Sequence, residues 1–324
     1  MKNKVFQDGQ IVAQRGVAAS LLGTYVQGGF SVLILGERGT GKTRLLAQFT
    51  EHKRVSVNCA SFADDTMAES ELFGYIKGSF TGANDDKIGL IKEAEGGVLF
   101  MDEVHSLSKR VQSKLMTAFQ TNEHNEVEVR RLGATKSEKV KDVHLVFASN
   151  RSIDELKACL LPDFYDRIVQ HVIGIPPIRE SLEYLEDDWK TVWKELGFPE
   201  KVPDSKQLMS WLRQLRFDGN YRDLQRIAMN YHAYMHFEEE VKSYLASNGI
   251  ASPLDFAKTQ YETMCPNLRE NEQIFKIGNT AAELEREYRY RLQEWAIHTY
   301  KTRANAALQL GVSEKTLNNW KNKK

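Results

Sequence analysis

The chain has 324 residues, of which 41% are hydrophobic and 27% charged, with 44 basic residues against 44 acidic ones. Such values are ordinary for a globular protein, and zero net charge argues against a protein that coats nucleic acid. No apolar run approaches the roughly 20 residues that a membrane span needs, and no apolar segment follows Met1–Lys4 as in a signal peptide. Cys59, Cys159 and Cys265 lie far apart, so we expect reduced thiols in a cytoplasmic protein without membrane contact.

Strand-like and helix-like runs alternate through the first half of the chain. The strand-like runs are Val32–Leu35, Val55–Asn58, Val98–Met101 and His144–Ala148, and the helix-like runs are Ile11–Leu22, Arg44–Thr50 and Val111–Phe119. Such alternation predicts an α/β fold, in which a parallel sheet is flanked by helices. The strand-like runs are continuously apolar, which indicates strands buried on both faces.

A glycine-rich loop follows the first of these strands and precedes a helix-like run. Its members, which we expect to bind the phosphates of ATP, are Gly36, Glu37, Arg38, Gly39, Thr40, Gly41, Lys42 and Thr43. Glycines let backbone N–H groups turn towards phosphate oxygens, and the N-terminus of the following helix favours the same anion. Lys42 is placed to reach the β- and γ-phosphates, and the Thr43 hydroxyl to bind Mg²⁺. A chance glycine turn is the alternative, which the flanking strand and helix disfavour.

Two acidic residues follow the apolar run Val98–Met101. Ligands of parallel sheets bind at the carboxyl ends of the strands, so Asp102 is expected at the Mg²⁺ and Glu103 beside the attacking water. Asn58 and Asn150 end two other strands. A lone Asn in such a place is often only a turn residue, but two at one edge make a role in the site at least as good an expectation.

The most unusual stretch lies between the glycine-rich loop and the acidic pair, and consists of Gly78, Ser79, Phe80, Thr81, Gly82 and Ala83. Glycines on both sides of Ser-Phe-Thr predict a mobile turn with an exposed aromatic side chain. An exposed Phe usually marks a binding surface. From these residues alone, the stretch is a surface loop of unknown role.

Helical patterns dominate the second half of the chain. The proline pair within Ile175–Glu180 ends the sheet region, because prolines break regular structure. Apolar side chains recur at spacings of three and four within residues 180–240 and again within 281–299. Residues 245–280 carry breaks that are typical of a linker.

The C-terminal residues have the pattern of a helix-turn-helix. Alanines within Arg303–Leu308 allow close helix packing, Gly311 suits a tight turn, and Ser313 is placed to cap the next helix. From Lys301 to Lys324 there are six basic residues and one acid. The candidates for contact with double-stranded DNA are Arg303, Ser313, Glu314, Lys315, Thr316, Asn318 and Asn319. A helical hairpin for dimerisation, or a basic solubilising tail, is the alternative.

These segments together resemble the AAA+ domain of bacterial enhancer-binding proteins, which activate sigma-54 RNA polymerase. Gly78–Ala83 matches the GAFTGA loop of that family, with Ser79 in place of an alanine. The other matching segments are Asn58–Ala60, Glu71–Gly74, Gly96–Glu103, Gln112 and Ala148–Asn150. The resemblance covers about residues 10–240, and the C-terminal end is similar to the Fis-type helix-turn-helix of the same family. It implies an AAA+ P-loop ATPase with a helical lid and an all-α DNA-binding domain.

The resemblance also implies roles for single residues. Phe80 and Thr81 would contact the sigma factor and transmit the ATPase stroke. Asn58 would pair with Glu103 as a nucleotide-sensing switch. Arg222 falls at the lid arginine that touches the nucleotide, although Phe-Asp replaces the Trp-Pro of the family motif just before it.

One departure from the family pattern concerns assembly. The family supplies two arginines to the neighbouring subunit; Arg167 matches the second, but Leu161 stands at the first. A trans arginine can raise the hydrolysis rate by several powers of ten. Catalysis is therefore expected to depend on self-association into a ring, with a hexamer as the expected size, and on Arg167.

The expected organisation is an ATPase core at 1–175, a helical lid at 176–245, a linker at 246–280 and a DNA-binding domain at 281–324. The first expectation for function is a sigma-54-dependent activator that binds upstream DNA and remodels sigma-54 RNA polymerase by hydrolysing ATP. Because no sensory domain precedes the core, a separate regulator acting in trans, or control by expression level, is expected. The alternatives are a repressor that lost sigma-54 activation and a remodeller of another DNA transaction. Leu161 and Ser79 leave room for the repressor, whereas the intact Phe80–Gly82 argues against both alternatives.

Overall fold

The computed structural model describes residues 6–7, 10–12, 15–49, 53–119, 126–264, 302–310 and 312–319, together with Arg289, Gln293 and Ile297. The chain divides into two compact units, Met1–Ala228 and Met229–Lys324. Among the helices of these residues, none is both long and apolar enough to cross a membrane.

The strands are β1 (Phe6–Gln7), β2 (Gln10–Val12), β3 (Val32–Leu35), β4 (Lys53–Asn58), β5 (Gly74–Tyr75), β6 (Lys87–Ile88), β7 (Gly97–Asp102), β8 (Glu126–Val129), β9 (Glu138–Lys141), β10 (His144–Ser149) and β11 (His171–Gly174). Seven of them form one sheet in the order β1-β2-β11-β3-β10-β7-β4. From β11 to β4, all neighbours are parallel. The pairs β5–β6 and β8–β9 are antiparallel and lie outside this sheet.

The helices are α1 (Arg15–Gln27), α2 (Asp65–Phe73), α3 (Leu90–Glu93), α4 (Lys109–Ala118), α5 (Ile153–Cys159), α6 (Pro162–Ile168), α7 (Leu185–Glu195), α8 (Lys206–Leu212), α9 (Tyr221–Met235), α10 (Glu239–Ser247) and α11 (Pro253–Met264), followed by the helices Arg303–Gln309 and Glu314–Asn319. Short polar side chains start several of them. Asp64, Ser108, Ser152 and Ser205 each accept a hydrogen bond from the backbone N–H three residues on. These bonds satisfy donors that the first turn of a helix leaves free.

The sheet is buried on both faces at its central strands β3, β7 and β10. Successive residues of a strand point to opposite faces, and Leu33 accordingly packs in one apolar cluster while Ile34 packs in another. Leu99 and Phe100 of β7 divide between the same two clusters. The arrangement explains why β3 and β7 are apolar along most of their length. Edge strand β4 departs from the predicted continuous apolar run, since Lys53 and Arg54 are exposed and Ser56 is polar. The predicted α/β class with a parallel sheet flanked by helices is confirmed.

The predicted strands are confirmed, with β3 at the predicted bounds and the other three longer by one or two residues. Two predicted helices differ. The run Arg44–Thr50 is a 3-10 helix, Lys42–Gln48, and its last predicted residue lies outside the described chain. Ile11–Leu22 begins in strand β2 before α1 starts, because Ile11 pairs with Ile173 of β11.

The helical part of the first unit is built around two tryptophans of α7. Trp189 and Trp193 are each 1% exposed and lie with their rings 5.8 Å apart. Their indole N–H groups donate to the backbone carbonyls of Pro203 and Glu200, respectively. Each buried indole therefore has the polar partner that it needs. The predicted helical character of residues 180–240 is confirmed by α7, α8 and α9.

The second unit contains α10, α11 and the two last helices. Helices Arg303–Gln309 and Glu314–Asn319 pack through Ala306, Ala307 and Leu317, so small alanines do allow close packing. The Ser313 hydroxyl accepts from Thr316 N at 3.0 Å, which confirms the predicted cap. Gly311 and residues 265–288 lie outside the described part, and the boundaries at 175, 245 and 280 stay predictions.

A close backbone approach at Gly89 gives a test of this fold. A Cβ added there would lie 2.2 Å from the backbone carbon of Phe73 and 2.4 Å from Gly74 N. Because neither atom can move without displacing the chain, we expect Gly89→Ala to destabilise the protein by about 1–3 kcal/mol.

Gly16→Ala is the matched control, since an added Cβ meets nothing within 4 Å in α1. It should be neutral or stabilising by up to about 1 kcal/mol. Urea unfolding of both variants measures the difference, and equal midpoints would contradict the described backbone contact.

Candidate functional site

The carboxyl ends of adjacent strands bring most of the predicted catalytic residues to one edge. Asn58 at the end of β4 pairs in register with Asp102 at the end of β7. Ser149 at the end of β10 pairs with Leu35, which the glycine-rich loop follows. The backbone N–H of Gly36 donates to Ser149 O at 3.3 Å. The loop, the acidic pair and the two asparagines are therefore neighbours.

The glycine-rich loop needs its glycines. Gly39 and Gly41 have φ values of 76° and 88°, a region that side chains rarely adopt. A Cβ on Gly39 would lie 2.2 Å from Gly219 O. The buried Thr40 hydroxyl closes the loop by donating to Glu37 O at 2.9 Å.

The Lys42 ammonium is held inside this loop. Its Nζ donates to Gly36 O at 2.8 Å and to Glu37 O at 3.2 Å, and the residue is 7% exposed. Burial lowers the pKa of Lys42, while the negative charges of Asp102 and Glu103 act in the opposite direction. These two carboxylates are thus close enough to interact with the Lys42 charge. Thr43, which follows, is exposed at the start of the 3-10 helix.

Glu103 has an unusual backbone. Its φ and ψ are 53° and 42°, a left-handed conformation that is uncommon outside glycine and clusters at functional sites. Its N–H donates to Asp102 Oδ1 at 2.9 Å, and its Oε1 accepts from Asn150 Nδ2 at 3.2 Å. The structure therefore places Asn150, and not the expected Asn58, on the Glu103 carboxylate.

Asn58 has a different partner here. Its Oδ1 accepts from Ala60 N at 2.9 Å and caps the short 3-10 helix Cys59–Ser61. This bond is of the kind that a turn residue makes, which was the plain alternative for an Asn at a strand end. A nucleotide-sensing contact between Asn58 and Glu103 stays a prediction.

His105 joins the site, although the sequence analysis did not select it. Its Nδ1 lies 2.9 Å from Ser149 Oγ and its Nε2 lies 3.4 Å from Glu103 Oε2. Burial lowers the pKa of His105, which favours the neutral ring. The sequence feature that could have identified His105 is its position two residues after the acidic pair, at the predicted edge of the sheet.

A second group of residues joins the glycine-rich loop to the helical part of the same unit. Arg179 forms a bidentate ion pair with Glu37, with Nη1 and Oε2 2.7 Å apart. Buried Asn220 donates to Arg38 O at 3.0 Å and accepts from Ile178 N at 2.9 Å. Arg179 and Asn220 were not predicted from the sequence, because their partners in the loop, Glu37 and Arg38, lie 142 and 182 residues away.

Arg222 lies beside the same loop. Its Cγ is 3.5 Å from the position of a Cβ built on Gly39, and its charge lowers the pKa of Lys42. The backbone of the preceding residue, Tyr221, donates to Gly39 O at 3.0 Å. Arg222 is thus next to the predicted phosphate site, where its contact with a nucleotide stays a prediction.

A cavity of about 280 Å³ opens in the same unit and is lined by residues that include Gly16, Ile175, Tyr184, Asp188 and Tyr221. Ile175 N donates to Leu35 O at 2.7 Å, immediately before the glycine-rich loop. The Tyr221 N–H donates a hydrogen bond to Gly39 O, so two of the lining residues, Ile175 and Tyr221, adjoin that loop. The cavity therefore adjoins the predicted phosphate site.

The Gly78–Ala83 loop is a closed turn. Gly78 N donates to Ala83 O at 2.9 Å, and Ala83 N donates to Phe80 O at 3.0 Å. Phe80 was expected to be exposed but is half-buried, since its ring packs edge-on against Tyr75 at 5.0 Å. Ser79 and Gly82 complete the turn, and Thr81 at its tip is exposed.

Arg167 is engaged within its own chain. In α6, its guanidinium donates to the backbone carbonyl of Phe119. Leu161 N, at the start of the same helix, donates to Gln112 Oε1 at 2.8 Å, and the buried Gln112 also bonds Leu107 O. The α6 region is thus fixed to α4, while a contact of Arg167 with a neighbouring subunit stays a prediction.

The predicted DNA-contacting residues belong to the second unit. Arg303, Glu314, Lys315 and Thr316 are exposed, and Ser313 is occupied in capping. The side chains of Asn318 and Asn319 lie outside the described part. The exposed members are available to a ligand.

Comparison with known proteins identifies relatives of the chain. A family model described as the sigma-54 interaction domain matches residues 13–174. The chain is 33% identical over 219 residues to the DNA-binding transcriptional regulator NtrC of Bradyrhizobium sp., a match that covers 64% of this chain and 44% of that protein. It is 31% identical over 306 residues to the transcriptional regulatory protein FlbD of Caulobacter vibrioides, covering 89% of this chain and 64% of that one.

The chain therefore spans about half the length of these curated relatives. Among solved structures, NtrX from Brucella abortus in complex with ATP aligns with a TM-score of 0.58 and 17% identity, covering 95% of this chain and 68% of that one. This likeness supports the AAA+ type of fold. The family expectation drawn from the GAFTGA-like loop is confirmed by the family model.

The Arg179–Glu37 pair gives a test of the site. Arg179 hydrogen bonds hold the pKa of Glu37 below its ordinary value, so the carboxylate is charged and paired beside the phosphate loop. Arg179→Ala leaves that negative charge free next to any bound phosphate. We expect binding of a fluorescent ADP analogue to weaken about five-fold, as for the loss of a modest charge-assisted bond of about 1 kcal/mol.

Arg213→Ala is the matched control, because Arg213 pairs at 3.0 Å with the exposed Glu186, which is not a residue of the loop. Fluorescence titration should give wild-type affinity for this control. Equal affinities for the two variants would contradict the assigned role of the pair.

Proposed function

Because the chain belongs to the family of proteins that carry the sigma-54 interaction domain, we propose that it is a sigma-54-dependent transcriptional activator driven by ATP hydrolysis. The observation that carries the proposal is the meeting of Lys42, Asp102, Glu103 and Asn150 at one sheet edge, in a domain that also bears the Gly78–Ala83 loop. The protein would bind upstream DNA, assemble as a ring and remodel sigma-54 RNA polymerase.

The glycine-rich loop would bind the triphosphate. Lys42 Nζ now donates to two loop carbonyls and would exchange them for β- and γ-phosphate oxygens. Thr43 and Asp102 supply a hydroxyl and a carboxylate, the hard oxygen ligands that Mg²⁺ prefers. When bound, Mg²⁺ neutralises charge on the phosphates. The adenine base would enter the 280 Å³ cavity between Ile175 and Tyr221, and Arg222 would reach the phosphates from the lid.

Glu103 would polarise the attacking water. The residue is at the sheet edge, its side chain is 20% exposed, and Asn150 fixes one of its oxygens. The left-handed backbone of Glu103 is of the kind that costs free energy and clusters at functional sites. A base held in this way accepts a proton without first having to be ordered.

Completion of the site would require a neighbouring subunit. Arg167 would leave Phe119 O and stabilise charge on the transferring phosphoryl group of the next protomer. Since Leu161 replaces the first family arginine, Arg167 would act without it. A hexameric ring, and a separate regulator acting in trans, belong to the same proposal.

The C-terminal helices would bind DNA. Arg303 and Lys315 are exposed cations suited to phosphate, and Asn318 and Asn319 are of the residue type that reads adenine. A DNA-bound repressor is the second candidate, favoured by one observation. Leu161 stands in the place of one trans arginine, while Arg167 is held by its own chain.

Two substitutions separate nucleotide binding from hydrolysis. We expect Lys42→Ala to lose binding of ATP, because the buried ammonium cannot be replaced, while DNA binding persists. Glu103→Gln should keep binding but lower kcat by about a hundred-fold or more, since the amide cannot take a proton. Equilibrium binding of a labelled nucleotide and steady-state phosphate release measure the two effects. Unchanged ATP affinity in Lys42→Ala would remove the phosphate-loop assignment.

Thr81 tests the sigma-54 part of the proposal. Thr81 is exposed at the loop tip, so Thr81→Ala should keep ATPase activity but lose most transcription from a sigma-54 promoter in vitro. Thr117→Ala is the matched control, an exposed threonine on α4 that donates to Ser113 O of its own helix. Retained transcriptional activation in Thr81→Ala would contradict the role assigned to the Gly78–Ala83 loop.

A further inference from the structure

His105 stands between Glu103 and Ser149. It belongs to the 3-10 helix Val104–Ser106, which directly follows Glu103. Its side chain is 15% exposed. The expected ATP chemistry assigns nothing to this residue, yet its ring faces the carboxylate of the proposed base.

The donors and acceptors around His105 indicate which ring nitrogen carries the proton. Arg151 N donates to Ser149 Oγ at 3.1 Å, so this hydroxyl accepts one bond and still has a proton to give. Ser149 Oγ is 2.9 Å from His105 Nδ1. If the serine donates to Nδ1, the neutral ring carries its proton on Nε2, which faces Glu103 Oε2 at 3.4 Å.

The charged groups around the ring are compatible with a neutral imidazole. Glu103, Asp102 and Glu155 face it with negative charge and Arg151 with positive charge. Arg151 and Glu155 are themselves paired at 3.1 Å, so they largely offset one another. Burial then decides, and it favours the uncharged ring.

The Glu103 carboxylate is thus approached from two sides. Asn150 Nδ2 donates to Oε1 at 3.2 Å from the end of β10, and His105 Nε2 faces Oε2 from the segment after β7. Each carboxylate oxygen has two lone-pair directions, so one on each stays free to accept a proton. Contacts from two separate elements restrain the carboxylate more than the Asn150 hydrogen bond alone would.

We propose that His105, held by Ser149, is a positioning residue for Glu103 that directs its carboxylate at the water attacking ATP. The inference rests on the proposed ATPase function. His105 touches neither phosphate nor water in this role; it acts through Glu103. Its effect belongs to the chemical step, and nucleotide binding should be left largely unchanged.

The test compares kcat and KM for ATP in the full-length wild type, His105→Ala, His105→Gln, Ser149→Ala and the double variant His105→Ala/Ser149→Ala. We expect His105→Ala to lower kcat about ten-fold with KM changed less than about two-fold, as for a group that acts only in the transition state. His105→Gln should recover at least about half of wild-type kcat, because its amide N–H can replace Nε2–H.

The double variant distinguishes positioning from a general loss of packing. Since Ser149 would act through His105, His105→Ala/Ser149→Ala should be no slower than His105→Ala alone. Independent structural defects would instead multiply. Binding of a fluorescent ADP analogue shows that each variant keeps a folded site, and His105→Gln decides the question if the alanine variant does not.

Glu103→Gln distinguishes a failure of the proposed ATPase function from a failure of the positioning role of His105. An active wild type, an inactive Glu103→Gln and a His105→Ala variant within about two-fold of wild-type kcat would overturn this inference alone. Multiplicative losses in the double variant would do the same. An inactive wild type, or an active Glu103→Gln, would overturn the proposed function and this inference with it.

Discussion

Burial of a parallel sheet on both faces is the constraint on which the rest of the first unit depends. Apolar side chains fill both sides of β3, β7 and β10, so polar groups are excluded until each strand ends. Because the strands are parallel, those ends lie at one edge. The glycine-rich loop, Asp102, Glu103 and Asn150 are consequently brought together by the same packing that stabilises the fold.

The site is also connected to the helical region by contacts of long sequence separation. Asn220 bonds the backbone of Arg38 and of Ile178, and Arg179 pairs with Glu37. The glycine-rich loop is therefore bonded directly to residues 179 and 220, so a movement of the loop on binding a ligand would also move them. Such contacts are the kind of connection through which a change at the loop reaches the helical region of the same unit.

Local patterns predicted the strands, the glycine-rich loop and the acidic pair, because each is encoded within a few neighbouring residues. The sequence did not predict Arg179, Asn220 or His105 as site residues, since their partners are set by tertiary packing. The resemblance implies that Asn58 pairs with Glu103, which stays a prediction; in this structure Asn58 caps its own turn and Asn150 bonds the Glu103 carboxylate. Phe80 was expected to be exposed because glycines lie on both sides of its segment. Its packing against the Tyr75 ring is a tertiary contact that the sequence pattern does not show.

ATP hydrolysis at this sheet edge is proposed to drive opening of promoter DNA by sigma-54 RNA polymerase. The direct measurement is open-complex formation on a sigma-54 promoter that carries a site selected from DNA bound by the purified protein, with ATP or a non-hydrolysable analogue. Open complexes are expected with ATP and none with the analogue. Hydrolysis and DNA binding without open complexes would contradict this proposal, and the Gly78–Ala83 loop would then need a different partner.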